Sequence, residues 1–317
     1  MLHIVVSDQT DPYLNVAVEN YLLAQPVHDT VTLYLWRNHR TVVIGRNQNP
    51  FAECNLERLE ADGGHLMRRG TGGGAVYHDG GNINFSFVAP HNLYSTERQF
   101  AVVAAALAHF GLEAEVSGRN DMLCNGRKFS GNAFSVGRHN KLHHGTLLIA
   151  GNMTDLQRYL KPKPAKLLKH GVQSVQSRVV NLSDINAEIT TQTIVPHLIA
   201  AFEEIYGESA DVLEFSNLAA MPEVQHLRNK FASPEWLYDP WRSFEAQRSG
   251  QFAWGEVELS LKIDNVHRVI ENVRIATDAL DLDAIAHAEQ LLRGARVDHM
   301  PEANGQIERD IIGLVYC

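Results

Sequence analysis

The chain has 317 residues, 44% of them hydrophobic, and a formal charge of −9. That length and apolar content suffice to bury a sizeable core in one large domain or two unequal ones, which excludes disordered and fibrous classes. The acidic balance and the lack of a dense Lys/Arg run argue against nucleic acid as the main partner, while a small anion held by a few local cations stays open.

In chain order, Met1-Leu-His-Ile-Val-Val-Ser-Asp8 lacks a charged head followed by a long apolar stretch, and no later segment approaches the roughly 18 apolar residues of a membrane span. A cytoplasmic protein is expected, or one in an organellar matrix after processing, with no membrane partner. Short alternating or apolar runs predict strands at Leu2 to Val6, Val31 to Trp36, Thr41 to Ile44, Asn82 to Val88 and Lys141 to Ile149. Apolar residues spaced by three and four predict helices over Asn15 to Leu23, Thr96 to Phe110 and Thr190 to Tyr206, with Asn15 and Thr96 as N-caps. Asn125-Gly126, between Met122-Leu-Cys and Lys128-Phe-Ser, is a strong hairpin signal, because both turn residues accept positive φ. From Ser233 to Arg248 the pattern loosens. Phe252 to Ile263 and Val269 to Thr277 then predict a two-stranded unit, followed by helices at Asp281 to Leu292 and Gln306 to Leu314, so a second, smaller domain is expected to start near residue 245. Cys54, Cys124 and Cys317 are widely spaced with no Cys-x-x-Cys pair, which suggests reduced thiols and neither a disulfide framework nor a zinc site.

Two stretches carry the chemistry. In Arg68-Arg-Gly-Thr-Gly-Gly-Gly-Ala-Val-Tyr-His-Asp79, two cations precede three consecutive glycines. Ordered glycine costs about 0.5 to 1 kcal/mol each relative to alanine, so the run needs a reason. Bare backbone can aim N–H groups at a phosphate while Arg68 and Arg69 donate charge-assisted bonds to the same anion. Gly70, Gly72 and Ala75 formally fit a dinucleotide fingerprint, but strand-like residues follow where that motif must open a helix, and no Gly-Lys-Ser or Gly-Lys-Thr of a Walker loop is present. In the second stretch, Ser117 to Ala133, Asn120 and Asp121 lead into the hairpin and Lys128 follows its turn. Lys128 is read either as an anion ligand beside Gly131 or as a solvated edge-strand lysine; Asp121 either binds Mg²⁺ or pairs with an arginine.

The order and spacing of these stretches resemble the lipoate-protein ligase A family, within the biotin/lipoate ligase superfamily. The likeness also covers Leu35-Trp-Arg-Asn, Val42-Val-Ile-Gly-Arg-x-Gln-Asn-Pro50, Glu53-Cys-Asn, His143-His-Gly-Thr-Leu-Leu, Ser174-Val-x-Ser-Arg-Val-x-Asn-Leu182 and Phe252-x-Trp-Gly-x-Val-Glu-Leu259. It implies an α+β fold: a mixed-sheet catalytic domain over residues 1–243 and a smaller C-terminal α+β accessory domain over 248–317. It implies an ATP-dependent ligase that makes lipoyl-AMP and passes the lipoyl group to a lysine on lipoyl domains of 2-oxoacid dehydrogenase complexes and on the glycine cleavage H protein. ATP would come with Mg²⁺, lipoate would be the substrate, and no cofactor would be permanently bound.

By the same resemblance Lys128 contacts both the lipoyl carboxylate and the α-phosphate and is the catalytic residue. The adenylate would be held by Arg69, Thr71, Gly72, Gly73, Gly74, Ala75, Val76 and Tyr77, with Asn82, Asn120 and Asp121 nearby, and Asp121 as the candidate metal ligand. Trp36, Arg69, His78 and His144 would line the lipoyl pocket, although the two histidines also read as strand residues hydrogen-bonded within the sheet. The segment Ser174 to Leu182 would cover the adenylate against water. Two other readings stand beside this one. A lipoyl or octanoyl transferase of the same fold would use a pre-activated or carrier-bound acyl group, with Cys124 as a thiol to consider. A non-catalytic binder on the same scaffold would have no need of an intact Lys128 and glycine run.

Overall fold

The computed structural model describes residues 1–118, 120–161, 179–238, 246–264, 267, 269–297 and 299–316. The expectations for residues 174–178 of the predicted cover, for Cys317 and for a boundary at 243–245 fall outside them.

An eight-stranded mixed sheet forms the frame. Its strands are β1 (Leu2–Val6), β2 (Val31–Trp36), β6 (Asn82–Pro90), β7 (Glu115–Ser117), β8 (Asp121–Cys124), β9 (Arg127–Val136), β10 (Asn140–Leu148) and β11 (Ala210–Leu213), in the order β11-β1-β2-β6-β10-β9-β8-β7. The β11-β1-β2 edge is parallel and the rest antiparallel. Parallel β1 and β2 need a crossover, which helix α1 (Pro12–Ala24) supplies. The period of two along β2 serves both faces: Leu33 and Leu35 pack with Val102, Leu107 and Phe202, whereas Tyr34 and Trp36 pack with Val16, Phe215 and Phe231. Helices α2 (Thr96–Ala108) and α3 (Ile194–Tyr206) cover the first face. Helix α1, joined by α4 (Pro222–Ala232), covers the second.

The helix starts differ from the sequence reading. Asp11, not Asn15, caps α1 by accepting the N–H groups of Tyr13 and Leu14, because Pro12 takes the first helical position, where no N–H is needed. Ser95, not Thr96, caps α2. Helix α3 begins at Ile194 rather than Thr190, since the Thr190 and Thr193 hydroxyls bond local backbone N–H groups and compete with the helical ladder.

A three-stranded sheet, β4-β3-β5, is built from β3 (Thr41–Ile44), β4 (His65–Arg68) and β5 (Val76–His78). The glycine run is the connection from β4 to β5, so both of its ends are anchored on β3. The C-terminal unit has its own sheet of β12 (Ala246–Phe252), β13 (Gly255–Asp264) and β14 (Val269–Thr277), with helices α5 (Leu282–Leu292) and α6 (Gln306–Tyr316). Its core is separate, around Val257, Leu259, Val273, Ile285, Leu292 and Ile311. Strand β12 makes it three-stranded rather than two; the polar Gln-Arg-Ser-Gly sequence hides that strand from a hydrophobic pattern. Among the described residues no helix is long and apolar enough to cross a membrane.

Candidate active site: a cleft between the glycine run and the hairpin lysine

A cleft of about 340 Å³ lies between the two sheets of the larger unit. One wall is the glycine run with Val43 and Met67. The other comes from β9, β10 and the turn before β8, and Asp278 and Leu280 of the C-terminal unit stand at its edge.

The three glycines have three different reasons. Gly73 has φ +94°, a left-handed conformation that suits glycine. A Cβ at Gly72 would sit 2.1 Å from the Ala279 carbonyl oxygen, so this glycine admits the C-terminal unit. Gly74 meets nothing within 4 Å of a Cβ position and leaves bare backbone facing the cleft. The run was read as a phosphate cradle; part of it is instead a seat for another segment of the chain. The Gly73 N–H reaches the Ala279 oxygen at 3.3 Å.

The two arginines part company. Arg68 is 1% exposed, and among the described residues its guanidinium donates to backbone oxygens, those of Gly45, Arg46, Gln48, Trp236 and Leu237. Burial, with the Arg46 and Arg274 charges adding to it, lowers its pKa to about 9. It builds the wall and does not line the cleft. Arg69 does line it, and donates to Thr71 Oγ1 (3.1 Å) and to the Gly72 and Gly74 oxygens (2.6 and 2.9 Å), which fixes the shape of the run. Burial lowers its pKa to about 10, opposed by the Glu19 carboxylate.

The inner end of the cleft is polar and wired. Glu19 of α1, 1% exposed, accepts from His144 Nδ1–H at 2.8 Å and from Ser86 Oγ–H at 2.5 Å. His144 Nε2 meets Thr71 Oγ1 at 2.9 Å, and Trp36 Nε1–H donates to Ser86 Oγ at 3.0 Å. His78 is held from behind. Asn15 Nδ2–H donates to Asn38 Oδ1, so Asn38 presents its own N–H to His78 Nδ1 at 3.2 Å. Burial, with Arg69 and His144 adding to it, pushes the His78 pKa down to about 3, so the ring is neutral and its proton sits on Nε2. That buried N–H has no partner among the described residues and lies in the cleft wall. The two histidines are hydrogen-bonded inside the fold and at the same time line the cleft.

At the outer end, Lys128 Nζ stands 2.6 Å from Asp121 Oδ1, across the hairpin whose Asn125 and Gly126 both have positive φ. Among the described residues Asp121 pairs with the hairpin lysine, where the sequence reading offered an arginine. Lys128 lies across Gly131, where a Cβ would come within 3.1 Å of Nζ. Asn120 and Asn132 line the wall beside it.

Of the other predicted residues, Ala75 and Val76 line the cleft, whereas Thr71, Gly72, Tyr77 and Asn82 stand behind its surface. Tyr77 packs against Tyr159 in the small sheet's core, and Asn82 donates to Asn84 Oδ1. Glu19, Asn132 and Leu280 were not anticipated. Glu19 had a signal, a carboxylate in register with Val16 and Leu22 on the inward face of α1. For a metal, Asp121 offers one carboxylate, and among the described residues no group of three or more His, Cys, Asp or Glu comes together.

Comparison with known proteins gives one consistent answer. Residues 11–203 match the model of the lipoyl protein ligase A/B catalytic domain, and residues 242–301 match that of the bacterial lipoate protein ligase C-terminus. Lipoate-protein ligase A of Psychrobacter cryohalolentis is 38% identical over 304 residues, covering 94% of this chain and 89% of that protein. The protein of the same name from Bdellovibrio bacteriovorus is 38% identical, over 92% and 88% of the two chains. Among solved structures, P. falciparum LipL1 in complex with lipoate superposes with a TM-score of 0.82 at 31% identity, covering 99% of this chain and 94% of that one.

Proposed function

The chain belongs to the lipoyl protein ligase A/B family, and on that premise we propose that it is an ATP-dependent lipoate-protein ligase. The observation that carries the reading is one cleft with Lys128 and bare Gly74 backbone at its outer part and a buried polar end at Trp36, His78 and His144. That division suits an acyl group lying inward and a nucleotide outward.

The first step joins two anions. A lipoate carboxylate oxygen attacks the α-phosphorus of ATP, the bond to the bridging oxygen breaks, and pyrophosphate leaves with the electron pair. The Lys128 ammonium offsets the repulsion of the reactants and the charge that develops between them, and Asp121 holds it in place at 2.6 Å. Backbone at Gly73, Gly74, Ala75 and Val76, with Asn120, faces the adenylate; Arg69 acts chiefly by holding the run in shape, and Thr71, Gly72, Tyr77 and Asn82 support the wall from behind. Asp121, on the nucleotide side of the cleft, is the carboxylate that would hold the Mg²⁺ accompanying ATP, and the ion would offset phosphate charge there. In the second step an acceptor lysine amine attacks the acyl carbon, and AMP leaves. Because AMP is a good leaving group, the step asks for orientation more than for a strong base. Acceptors are lipoyl domains, with those of 2-oxoacid dehydrogenase complexes and the glycine cleavage H protein as the candidates. The catalytic domain is taken as residues 1–243 and the accessory domain as 248–317, in a cytoplasmic enzyme.

The test is lipoate-dependent exchange of labelled pyrophosphate into ATP by the purified chain. Lys128→Ala is expected to lower the exchange rate by a factor on the order of 100, about 3 kcal/mol in the barrier. A folded chain that transfers from supplied lipoyl-AMP but never exchanges pyrophosphate belongs with the acyl transferases instead.

A further inference from the structure

Directly behind the nucleotide side of the cleft lies a buried polar chain to which no role has been given so far. His143 of β10 is wholly buried among the rings of Phe85, Phe100 and Phe134, whose centroids stand 5.5, 4.7 and 4.8 Å from its own. Its Nε2 lies 2.9 Å from Asn132 Oδ1 and its Nδ1 3.1 Å from Gln99 Oε1. Two acceptors cannot both be satisfied by a ring with one proton. Burial drives the pKa of this imidazole down to about 3, so it has only one.

The amides on either side decide where the proton sits. The Gln99 amide points its oxygen at His143 and its Nε2 at the neighbouring Tyr206 hydroxyl, which can accept or donate. Turning that amide over lets Nε2–H donate to His143 Nδ1 and frees Oε1 to accept from the Tyr206 hydroxyl, its neighbour. His143 must then carry its proton on Nε2 and donate to Asn132 Oδ1. The opposite arrangement would turn Asn132 over, setting its oxygen against the Asn120 carbonyl and losing its bond to Ser130 Oγ.

Asn132 and Asn120 in turn lock to each other. The Asn132 N–H and Nδ2–H both donate to the Asn120 oxygen (2.8 and 3.1 Å), and Asn120 Nδ2–H donates to the Asn132 oxygen at 2.6 Å. Asp121, the partner of Lys128, is the next residue. We infer that His143 is a positioning residue whose Nε2–H, through Asn132, fixes the Asn120–Asp121 turn against which Lys128 is held. A chain of oriented hydrogen bonds thus runs from α3 through α2, β10 and β9 to the reacting end of the cleft. The acyl end, at Trp36, His78 and Glu19, is not part of it.

The inference rests on the ligase reading for its kinetic test and on geometry alone for its spectroscopic one. His143→Leu removes the donor, and His143→Gln keeps one, with an amide N–H for Asn132 and an oxygen toward Gln99. In pyrophosphate exchange, His143→Leu is expected to lower kcat about tenfold to a hundredfold, the scale of a small misplacement of reacting groups. Calorimetric affinity for lipoate should stay within about twofold, and His143→Gln should recover most of the rate. A folded His143→Leu with unchanged kcat overturns the inference. So does a parallel fall in lipoate affinity, which would mark a core histidine and nothing more.

If the wild-type chain shows no exchange at all, the ligase reading fails, and nitrogen-15 NMR still decides the positioning. It should find the His143 proton on Nε2, with Asn132 and Asn120 side-chain amides protected from hydrogen exchange in the wild type and in His143→Gln and unprotected in His143→Leu. A proton on Nδ1, or protection indifferent to the leucine, overturns it.

Discussion

His78 and His143 show how burial sets a protonation state, and with it a direction for every neighbouring hydrogen bond. Both rings have pKa values pushed from an ordinary 6.5 to about 3, first by desolvation and then by neighbouring positive charge, that of Arg69 ahead of His144 at His78 and that of His144 at His143. The groups facing His78 are Asn38 and the Trp36 edge; those facing His143 are Gln99, Asn132 and phenylalanine rings. None of these is a carboxylate that would favour the charged ring. As pH falls below 6.5 the unfolded chain takes up these protons first. Stability therefore falls as pH drops from about 6.5 toward about 3, by about 1.4 kcal/mol per pH unit for each ring. Urea unfolding at pH 7 and pH 5 should show the loss, and His143→Gln should reduce it by about half. An unchanged slope in that variant would mean the ring is charged in the fold. Cysteine follows the same physics: Cys54 and Cys124 are each 1% exposed with burial-raised pKa values, which suits packing and not an acyl-thioester.

Arg68 acts at the level of elements. From the end of β4 it ties the loop after β3 to the short helix Pro234–Leu237 through five carbonyl groups, and Trp236 returns a bond from its indole N–H to the Arg68 oxygen at 2.9 Å. The Arg46 guanidinium lies 4.2 Å above the same indole ring. This knot fixes the start of the glycine run from outside the cleft. Arg68→Met is expected to leave the carbonyls unpaired in the interior and cost on the order of 3 to 5 kcal/mol in chemical denaturation. A loss below about 1 kcal/mol would show that water reaches the carbonyls and that the knot is dispensable.

At the scale of the whole molecule, the C-terminal unit closes one edge of the cleft although its core is its own. Its β14–α5 turn brings the Ala279 oxygen onto Gly72 and Gly73 and places Leu280 in the cleft wall, while the Thr277 N–H donates to the Asn47 oxygen at 3.1 Å. The seam is made of backbone and depends on the missing side chain at Gly72. Gly72→Ala should part the two units, read as a larger radius of gyration in solution scattering with unchanged circular dichroism. An unchanged radius would show that the turn yields locally. Leu280 and Asp278, far from the glycine run in sequence, belong to the cleft only because of this docking.

The sequence by itself determined the strands with a clear period of two, the Asn125-Gly126 hairpin, the mixed α+β class and the family, since local pattern and motif spacing are properties of contiguous residues. The glycine run stood out because three ordered glycines in a row are costly unless used, whereas Lys128, His78 and His144 were singled out by the family resemblance and by no local pattern of their own. Only the tertiary structure decided that Arg68 points away from the cleft and Arg69 shapes it, that Asp121 belongs to Lys128, and that Gly72 serves a seam. It also brought in Glu19, Asn132 and His143. The physical reason is common to all of these: a buried donor or acceptor is assigned by whichever partner the packed chain brings within about 3 Å, and those partners lie tens to hundreds of residues away, where no local pattern records them.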